Sequence, residues 1–251
     1  MMNCRPSVAT AARATTCALF VLVVFASAAM AQGNVLFQED FSSGFPIGWS
    51  TSDPSGNDRL WSYCSDPTNE NPANPGSTTG CHTIWDDFLN NQGPFAASTS
   101  GNGFMTVDSD AAGDVMHTSR LTTSAFDFSS NARVSIQFQS HIGVFTLDAD
   151  PFAVLQVSTD GVSWTDFVVF PGLVTGAPNP PTQRWSFNPT LVSFDLTSVA
   201  AHEPVVFLRW QWTANFEFHW DLDDIVVYDG LVQIFSDGFE SGDTSAWTSA
   251  F

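Results

Sequence analysis

The 251-residue sequence contains no lysine, and its seven arginines stand against 26 aspartates and glutamates, for a formal net charge of −19. A surface potential of that sign repels phosphate backbones and anionic lipid surfaces. The composition therefore argues against nucleic acid as a partner. It favours bound cations instead.

The sequence also lacks long hydrophobic runs: no apolar run reaches the roughly 20 residues needed to span a bilayer. The main apolar run, residues 17–28, follows Arg5 and Arg13 and precedes a small-x-small triplet at residues 29–31. This order is typical of a signal peptide cut after Ala31. We expect a chain that is secreted, to the extracellular space or the cell surface, without a transmembrane anchor.

Cysteine is scarce, and Cys64 and Cys81 are the two that remain once residues 1–31 are removed. An export route favours their oxidation, and the pair lacks the CxxC spacing of redox or zinc sites. We expect a disulfide between them, which would stabilise the fold by about 3 kcal/mol.

Helical periodicity of useful length is missing after the signal, whereas alternation of apolar and polar residues recurs along the chain. Period-two alternation is the pattern of half-buried strands, and Asp160-Gly161 between two such runs indicates a hairpin. The sequence predicts an all-β fold, a jelly-roll-like antiparallel β-sandwich, as one domain over residues 32–230. The predicted strands are 35–41, 134–139, 153–158, 162–170, 191–196, 205–213 and 225–232.

The C-terminal residues repeat the pattern of the first predicted strand. Phe37 to Gly44, followed by Trp49, has the same F-x3-F-x-S-G-x4-W frame as Phe235 to Gly242, followed by Trp247. We therefore treat residues 231–251 as a separate tail. A shared turn preference is the alternative explanation of the repeat.

Several motifs in the sequence resemble a known family. Residues 39–49, with Phe41, Gly44 and Trp49, resemble the first strand and turn of cleaved-adhesin and choice-of-anchor J domains, relatives of the MAM jelly rolls. Residues 107–111, 155–164 and 219–225 resemble later motifs of that family in the same order. The resemblance implies a concanavalin/MAM-like jelly roll of an exported bacterial protein, often with calcium between strand ends and sometimes with glycan or protein binding.

Acidic residues cluster where the predicted strands end, and calcium takes six to eight oxygen ligands from such loops. In a jelly roll the first and last strands can lie side by side, which would bring Asp40 near Asp223 or Asp224. The alternative is that these aspartates only cap turns; the resemblance favours a structural calcium ion. The candidate metal ligands are Glu39, Asp40, Asp53, Asp108, Asp110, Asp223 and Asp224.

Aromatic residues around the predicted disulfide offer a second kind of site. Trp61, Tyr63 and Trp85 are candidates for stacking against a sugar ring or a peptide side chain. The alternative is that they pack in the core, which is the stronger expectation for Trp210 and Trp212.

Catalytic motifs are missing from the sequence. His202-Glu203 begins a zincin motif, but Pro204 would break the helix that this motif needs. There is no G-x-S-x-G elbow of a serine hydrolase and no E-x-D-x-x-E motif of a jelly-roll glucanase. We therefore expect no enzyme, but a binding or adhesion module that recognises a glycan or a surface protein. The alternatives are an assembly protein that docks through its tail and a polysaccharide hydrolase with two separated carboxylates.

Overall fold

Strands make up most of the regular structure in the computed structural model of this protein, which describes residues 33–65, 94–109, 114–144, 153–171, 184–215 and 217–230. All of these residues belong to the unit of residues 31–236. The signal peptide and the tail lie outside the described residues, so the division into 1–31, 32–230 and 231–251 stays a prediction. No helix in the described ranges is long and apolar enough to cross a membrane.

The described residues contain twelve strands and two short helical turns. The helical turns are α1 (Thr197–Ala200) and a 3₁₀ turn at Ser100–Asn102. The strands are β1 (Asn34–Glu39), β2 (Ser50–Ser52), β3 (Ser62–Cys64), β4 (Phe104–Asp108), β5 (His117–Thr122), β6 (Ser135–Val144), β7 (Ala153–Ser158), β8 (Thr165–Val168), β9 (Arg184–Trp185), β10 (Thr190–Asp195), β11 (Phe207–Ala214) and β12 (His219–Asp229).

These strands form two sheets in which every pairing is antiparallel. The first sheet has the order β10-β6-β12-β4-β3, with β1 paired to β12 and β9 paired to β6. The second sheet has the order β2-β5-β11-β7-β8. Neighbours in each sheet are mostly distant in sequence, as crossing connections of a jelly roll require. The predicted all-β sandwich is confirmed.

The alternation of β11 shows how the sequence places one face of a strand in the core. Leu208, Trp210, Trp212 and Ala214 are buried, and the residues between them are half-buried on the opposite face. Because successive side chains of a strand point to opposite faces, this pattern directs one face of β11 to the interior. The expected burial of Trp210 and Trp212 is confirmed.

Aromatic rings join the two sheets across the core. Trp210 of the second sheet stacks on Trp49 at 5.9 Å between ring centroids and meets Phe138 of the first sheet edge-on at 5.8 Å. Trp212 of the second sheet lies 5.8 Å from Trp220 of the first sheet. Offset and edge-to-face geometries of this kind are favourable beyond the apolar area that they bury.

Strand β12 starts earlier than the sequence predicted. The prediction began at residue 225, whereas the strand begins at His219 and ends at Asp229. His219, Asp221 and Asp223 occupy one face of its first half, and all three are fully buried. Polar residues on a buried face conceal the apolar alternation on which the prediction relied.

His117 lies at the centre of a buried hydrogen-bond chain that links three distant segments. Its Nε2 is 2.9 Å from Ser109 Oγ, and its Nδ1 is 3.1 Å from Ser119 Oγ. Ser109 Oγ also accepts a hydrogen bond from the Glu217 amide, and Ser119 Oγ donates to the Arg59 carbonyl. Because the Ser119 hydroxyl proton is given to the Arg59 carbonyl, Ser119 Oγ accepts from the His117 ring at Nδ1. The neutral ring therefore carries its proton on Nδ1, and its Nε2 accepts from the Ser109 hydroxyl. Burial lowers the pKa of His117 to about 4.

We expect the buried neutral His117 to make the fold sensitive to acid. The unfolded histidine takes up a proton near pH 6.5, but the folded one does so only near pH 4. The contribution of His117 to the free energy of unfolding is therefore fully present above pH 6.5. It falls by at most about 3 kcal/mol as the pH drops to 4. Guanidinium unfolding of the wild type and of His117→Asn across this range measures the effect. The variant should show the shallower pH dependence, and identical slopes would contradict the assignment.

Candidate functional site

A bulge in β12 lies beside the end of β1. The two strands pair from Asn34 opposite Asp229 to Glu39 opposite Ile225. β12 also pairs with β6, where Asp223 lies opposite Gln139 and the next pair is Val226 opposite Gln137. Between these two pairs β12 has two residues and β6 has one, so β12 carries one extra residue there. Asp224 adopts a left-handed backbone with φ of 50° within this bulge. β-Bulges change the direction of a side chain relative to the regular alternation.

A cavity of about 180 Å³ opens at this bulge. Its lining contains three carboxylates and no basic side chain, which makes it a site of negative charge. The lining residues are Gln38, Glu39, Asp40, Thr99, Asp224, Ile225 and Val226.

Thr99 connects the two neighbouring aspartates of β12. Its Oγ1 lies 2.7 Å from Asp224 Oδ1 and 3.2 Å from Asp223 Oδ2. The backbone amide of Asp224 donates to Asp223 Oδ1 at 2.7 Å. The remaining oxygen, Asp224 Oδ2, is buried and has no hydrogen-bond partner. A buried carboxylate oxygen without a partner carries the full cost of its lost hydration, so it favours an added ligand.

The electrostatics of the cavity disfavour several simultaneous negative charges. Burial raises the pKa of Asp223 to about 8; the hydrogen bond from the Asp224 amide opposes this shift, and the charges of Asp224 and Asp40 reinforce it. Burial also raises the pKa of Glu39. A cation bound here would relieve this repulsion.

At the rim of the cavity, Glu39 ends β1 and Asp40 begins the turn that follows it. Glu39 Oε1 accepts a hydrogen bond from the Phe41 amide at 2.8 Å, and Asp40 Oδ1 accepts from Ser42 Oγ at 2.7 Å. The Ser42 hydrogen bonds lower the pKa of Asp40. In the described residues, no three acidic, histidine or cysteine side chains already converge as a set of metal ligands. The donor chemistry fits calcium, and backbone oxygens and water would have to complete its shell.

The remaining predicted ligands lie elsewhere or outside the described residues. Asp53 organises its own loop, since Oδ1 accepts from the Ser55 amide and Oδ2 from the Asn57 and Arg59 amides, each at 2.8 to 2.9 Å. Asp108 ends β4 opposite His219. Neither residue lines the cavity, and Asp110 lies outside the described residues. The structure therefore places Glu39, Asp40 and Asp224 on the cavity lining, with Asp223 joined to it through Thr99 and the Asp224 amide, and leaves Asp53 and Asp108 off the lining.

Among the three candidate stacking residues, the prediction for Trp61 is wrong. Trp61 is 3% exposed and packs against the buried Trp220 at 5.1 Å between ring centroids, so it offers no free face to a ligand. Tyr63 is half-buried, with its hydroxyl 3.2 Å from the Asn102 carbonyl. Trp85 lies outside the described residues.

The predicted disulfide involves one described residue. Cys64 ends β3 and is buried beside Phe95 and Phe104. Its expected partner Cys81 lies outside the described residues, so the pairing stays a prediction.

Thr99 is the residue of the site that sequence reasoning missed. It reaches the cavity because its segment is held on the outer face of the first sheet, where the Ser98 amide donates to Gln139 Oε1 at 3.1 Å. The side chain of Gln139 in turn donates to Ser98 Oγ at 2.6 Å. These contacts join residues 41 positions apart, and no local pattern around Thr99 signals them.

Known proteins resemble this chain in fold. No protein-family model matches it, and no curated protein matches it. The K3 cleaved adhesin domain of Lys-gingipain from Porphyromonas gingivalis aligns with a TM-score of 0.45 at 16% identity, covering 78% of this chain and 99% of that chain. The K1 cleaved adhesin domain of the same protein gives a TM-score of 0.43 at 14% identity, with coverages of 77% and 98%.

A carbohydrate-binding module is also among the matching structures. The family 11 module from Clostridium thermocellum, in complex with a β-1,3-1,4-mixed-linked tetrasaccharide, gives a TM-score of 0.39 at 11% identity and covers 81% of this chain and 99% of that chain. At these identities the similarity concerns the fold alone.

Proposed function

We propose that this protein is an exported, non-enzymatic binding module in which a calcium ion ties the first strand to the last and which recognises a glycan or a surface protein. The observation that supports the calcium site is the acidic cavity at the β12 bulge, where Asp224 Oδ2 is buried without a hydrogen-bond partner. The predicted signal peptide and the missing catalytic motifs support the rest of the proposal.

The cavity contains the kinds of ligand that calcium prefers. Asp224 comes from the bulge of β12, Glu39 ends β1, Asp40 follows it, and Thr99 adds a hydroxyl from a third segment. Asp223 does not line the cavity but contacts the Thr99 hydroxyl beside it. Oxygen ligands from loops at strand ends are typical of calcium sites. A bound ion would cross-link β1, β12 and the segment around Thr99, which are far apart in sequence.

Calcium is expected to raise the melting temperature of the protein. Binding to the native state at a hundred times the dissociation constant adds about 2.7 kcal/mol, which corresponds to roughly 5 to 10 °C for a domain of this size. The measurement is thermal unfolding in chelator and then in millimolar calcium. Magnesium at the same concentration should give a much smaller rise, because it requires smaller and stricter octahedral coordination.

Asp224→Asn should abolish most of this rise, and Asp58→Asn provides a matched control. Asp58 also has a left-handed backbone, with φ of 58°, but it lies in an exposed loop. Asparagine tolerates this conformation, so both substitutions remove one charge with little strain. An equal calcium response in Asp224→Asn and the wild type would overturn the cavity as the calcium site.

Recognition is tested with the folded, calcium-loaded protein on a glycan array and in a pull-down from surface-protein extracts. Specific retention of a glycan or of a defined surface protein is expected. If both experiments return nothing from protein that shows the calcium response, the binding-module proposal fails.

A further inference from the structure

Two arginines lie next to each other on the outer face of the second sheet. Arg209 of β11 lies opposite Thr122 of β5 on one side and Gln156 of β7 on the other. Arg120 of β5 lies opposite Gln211 of β11, so the two arginines are diagonal neighbours. Diagonal pairs across a sheet are about 7 to 8 Å apart, within reach of long side chains. We name Arg120, Thr122, Gln156, Arg209 and Gln211 the arginine face.

Each guanidinium is held in place through one nitrogen. Arg120 Nε donates to Gln211 Oε1 at 2.7 Å, and Arg209 Nε donates to Gln156 Oε1 at 2.7 Å. The side-chain amide of Gln156 is fixed in turn by Asp166 Oδ1 at 2.7 Å. The Arg209 guanidinium also lies over the ring of Trp164, 3.6 Å from its centroid. The Nε contacts orient both side chains and leave their terminal Nη groups to bind something else.

The protein only partly balances the charge on the arginine face, because the carboxylate of Asp166 acts on Arg209 from beside Gln156. Among the described residues neither Arg120 nor Arg209 forms a salt bridge, although the sequence contains 26 acidic residues. Burial and the nearby charge of Arg120 lower the pKa of Arg209 to about 10, and the charge of Asp166 opposes this shift. At this pKa the Arg209 guanidinium is still protonated at neutral pH. The protein therefore keeps two like charges close together, an arrangement that an anionic ligand would stabilise.

We propose that the arginine face binds a glycan that carries carboxylate groups, such as a short oligosaccharide of uronic acids, through its local positive charge, since the net charge of −19 would repel a long polyanion. This inference rests on the proposed function, and it specifies the ligand class and the surface. The planar fork of an arginine side chain matches a carboxylate in a bidentate geometry. Sugar hydroxyl groups both donate and accept hydrogen bonds, and Thr122 and Gln211 offer both kinds of partner beside the arginines.

An acidic peptide fits this surface less well than a glycan does. Peptides gain affinity from sheets mainly by pairing with an unpaired edge strand and by placing apolar side chains in pockets. The arginine face belongs to β5, β11 and β7, each of which already has a strand on both sides. Its five side chains are all polar.

The test uses isothermal titration of the exported protein with oligogalacturonate, in chelator and again in calcium so that calcium bridging to the glycan is visible. The methyl ester of the same oligosaccharide keeps the sugar and removes the charge. Polyglutamate is the acidic-peptide probe. The variants are Arg120→Gln, Arg209→Gln and their combination, with Arg133→Gln as a matched control, since Arg133 is exposed outside the arginine face.

The wild type should bind oligogalacturonate and should not bind its methyl ester. The double variant should lose at least about tenfold in affinity, Arg120→Gln should lose part of it, and Arg133→Gln should bind like the wild type. Unchanged melting temperatures show that the variants are folded. Equal binding by the double variant, equal binding of the methyl ester, or binding of polyglutamate alone would each overturn the proposal.

Failure of the arginine-face proposal can be distinguished from failure of the proposed function. Asp224→Asn should lose its calcium response and still bind oligogalacturonate below its melting temperature. If the wild type keeps the calcium response and retains only neutral glycans on the array, the proposed function stands and the arginine face is refuted as the site.

Discussion

Trp210→Ala is expected to lower the free energy of unfolding by about 3 to 5 kcal/mol, the range for removing a buried tryptophan from a core. Trp210 is fully buried, stacks on Trp49 and meets Phe138 across the two sheets. The truncation therefore opens a cavity where both sheets meet. Urea unfolding at equilibrium measures the loss.

Two further variants check this explanation. Trp210→Phe keeps a ring in the core and removes an indole N–H that has no hydrogen-bond partner, so it should recover at least half of the loss. Phe187→Ala, at a residue that is 85% exposed, should change stability by less than about 0.5 kcal/mol. A loss below about 1 kcal/mol for Trp210→Ala would contradict its central place in the core.

Gly143→Ala is expected to cost about 2 to 3 kcal/mol, although it adds a single methyl group to a strand. A Cβ atom at Gly143 would lie 2.1 Å from Cζ3 of Trp185. The ring of Trp185 stacks on His141 at 5.7 Å and on Phe218 at 4.6 Å between centroids, which limits its ability to move aside. The same unfolding measurement applies.

Removal of the Trp185 side chain should greatly reduce the cost of Gly143→Ala. In a double-mutant cycle, Gly143→Ala in the background of Trp185→Ala should cost under about 1 kcal/mol, because the clash has gone. Gly101→Ala is the matched control, since a Cβ there has no neighbour within 4 Å. Additive effects of Gly143→Ala and Trp185→Ala would show that the ring does not pack on this glycine.

The sheets were predictable because alternation is a local signal. β7, β10 and β11 show it clearly, and the structure has strands in all three predicted positions. The approach of Asp40 to Asp223 followed from the position of first and last strands in a jelly roll. Pairing of Glu39 with Ile225 brings these residues together, and the Asp40 charge acts on Asp223.

The details of the site were not predictable because they depend on contacts between distant segments. Thr99 reaches Asp224 across 125 positions. The bulge that turns Asp224 into the cavity depends on the register of β12 against β6. Trp61 was predicted to be available for stacking because the sequence around it gives no sign that the distant Trp220 packs against its ring.

The most direct test of the account is calcium binding by the chelator-stripped protein in equilibrium dialysis, at a pH above 8 where Asp223 is ionised. We predict one tightly bound ion per chain in the wild type and in Asp58→Asn, and loss of that ion when Asp40→Asn and Asp224→Asn are combined. A wild type that binds no calcium, or a double variant that binds as the wild type does, would contradict a calcium ion between β1 and β12.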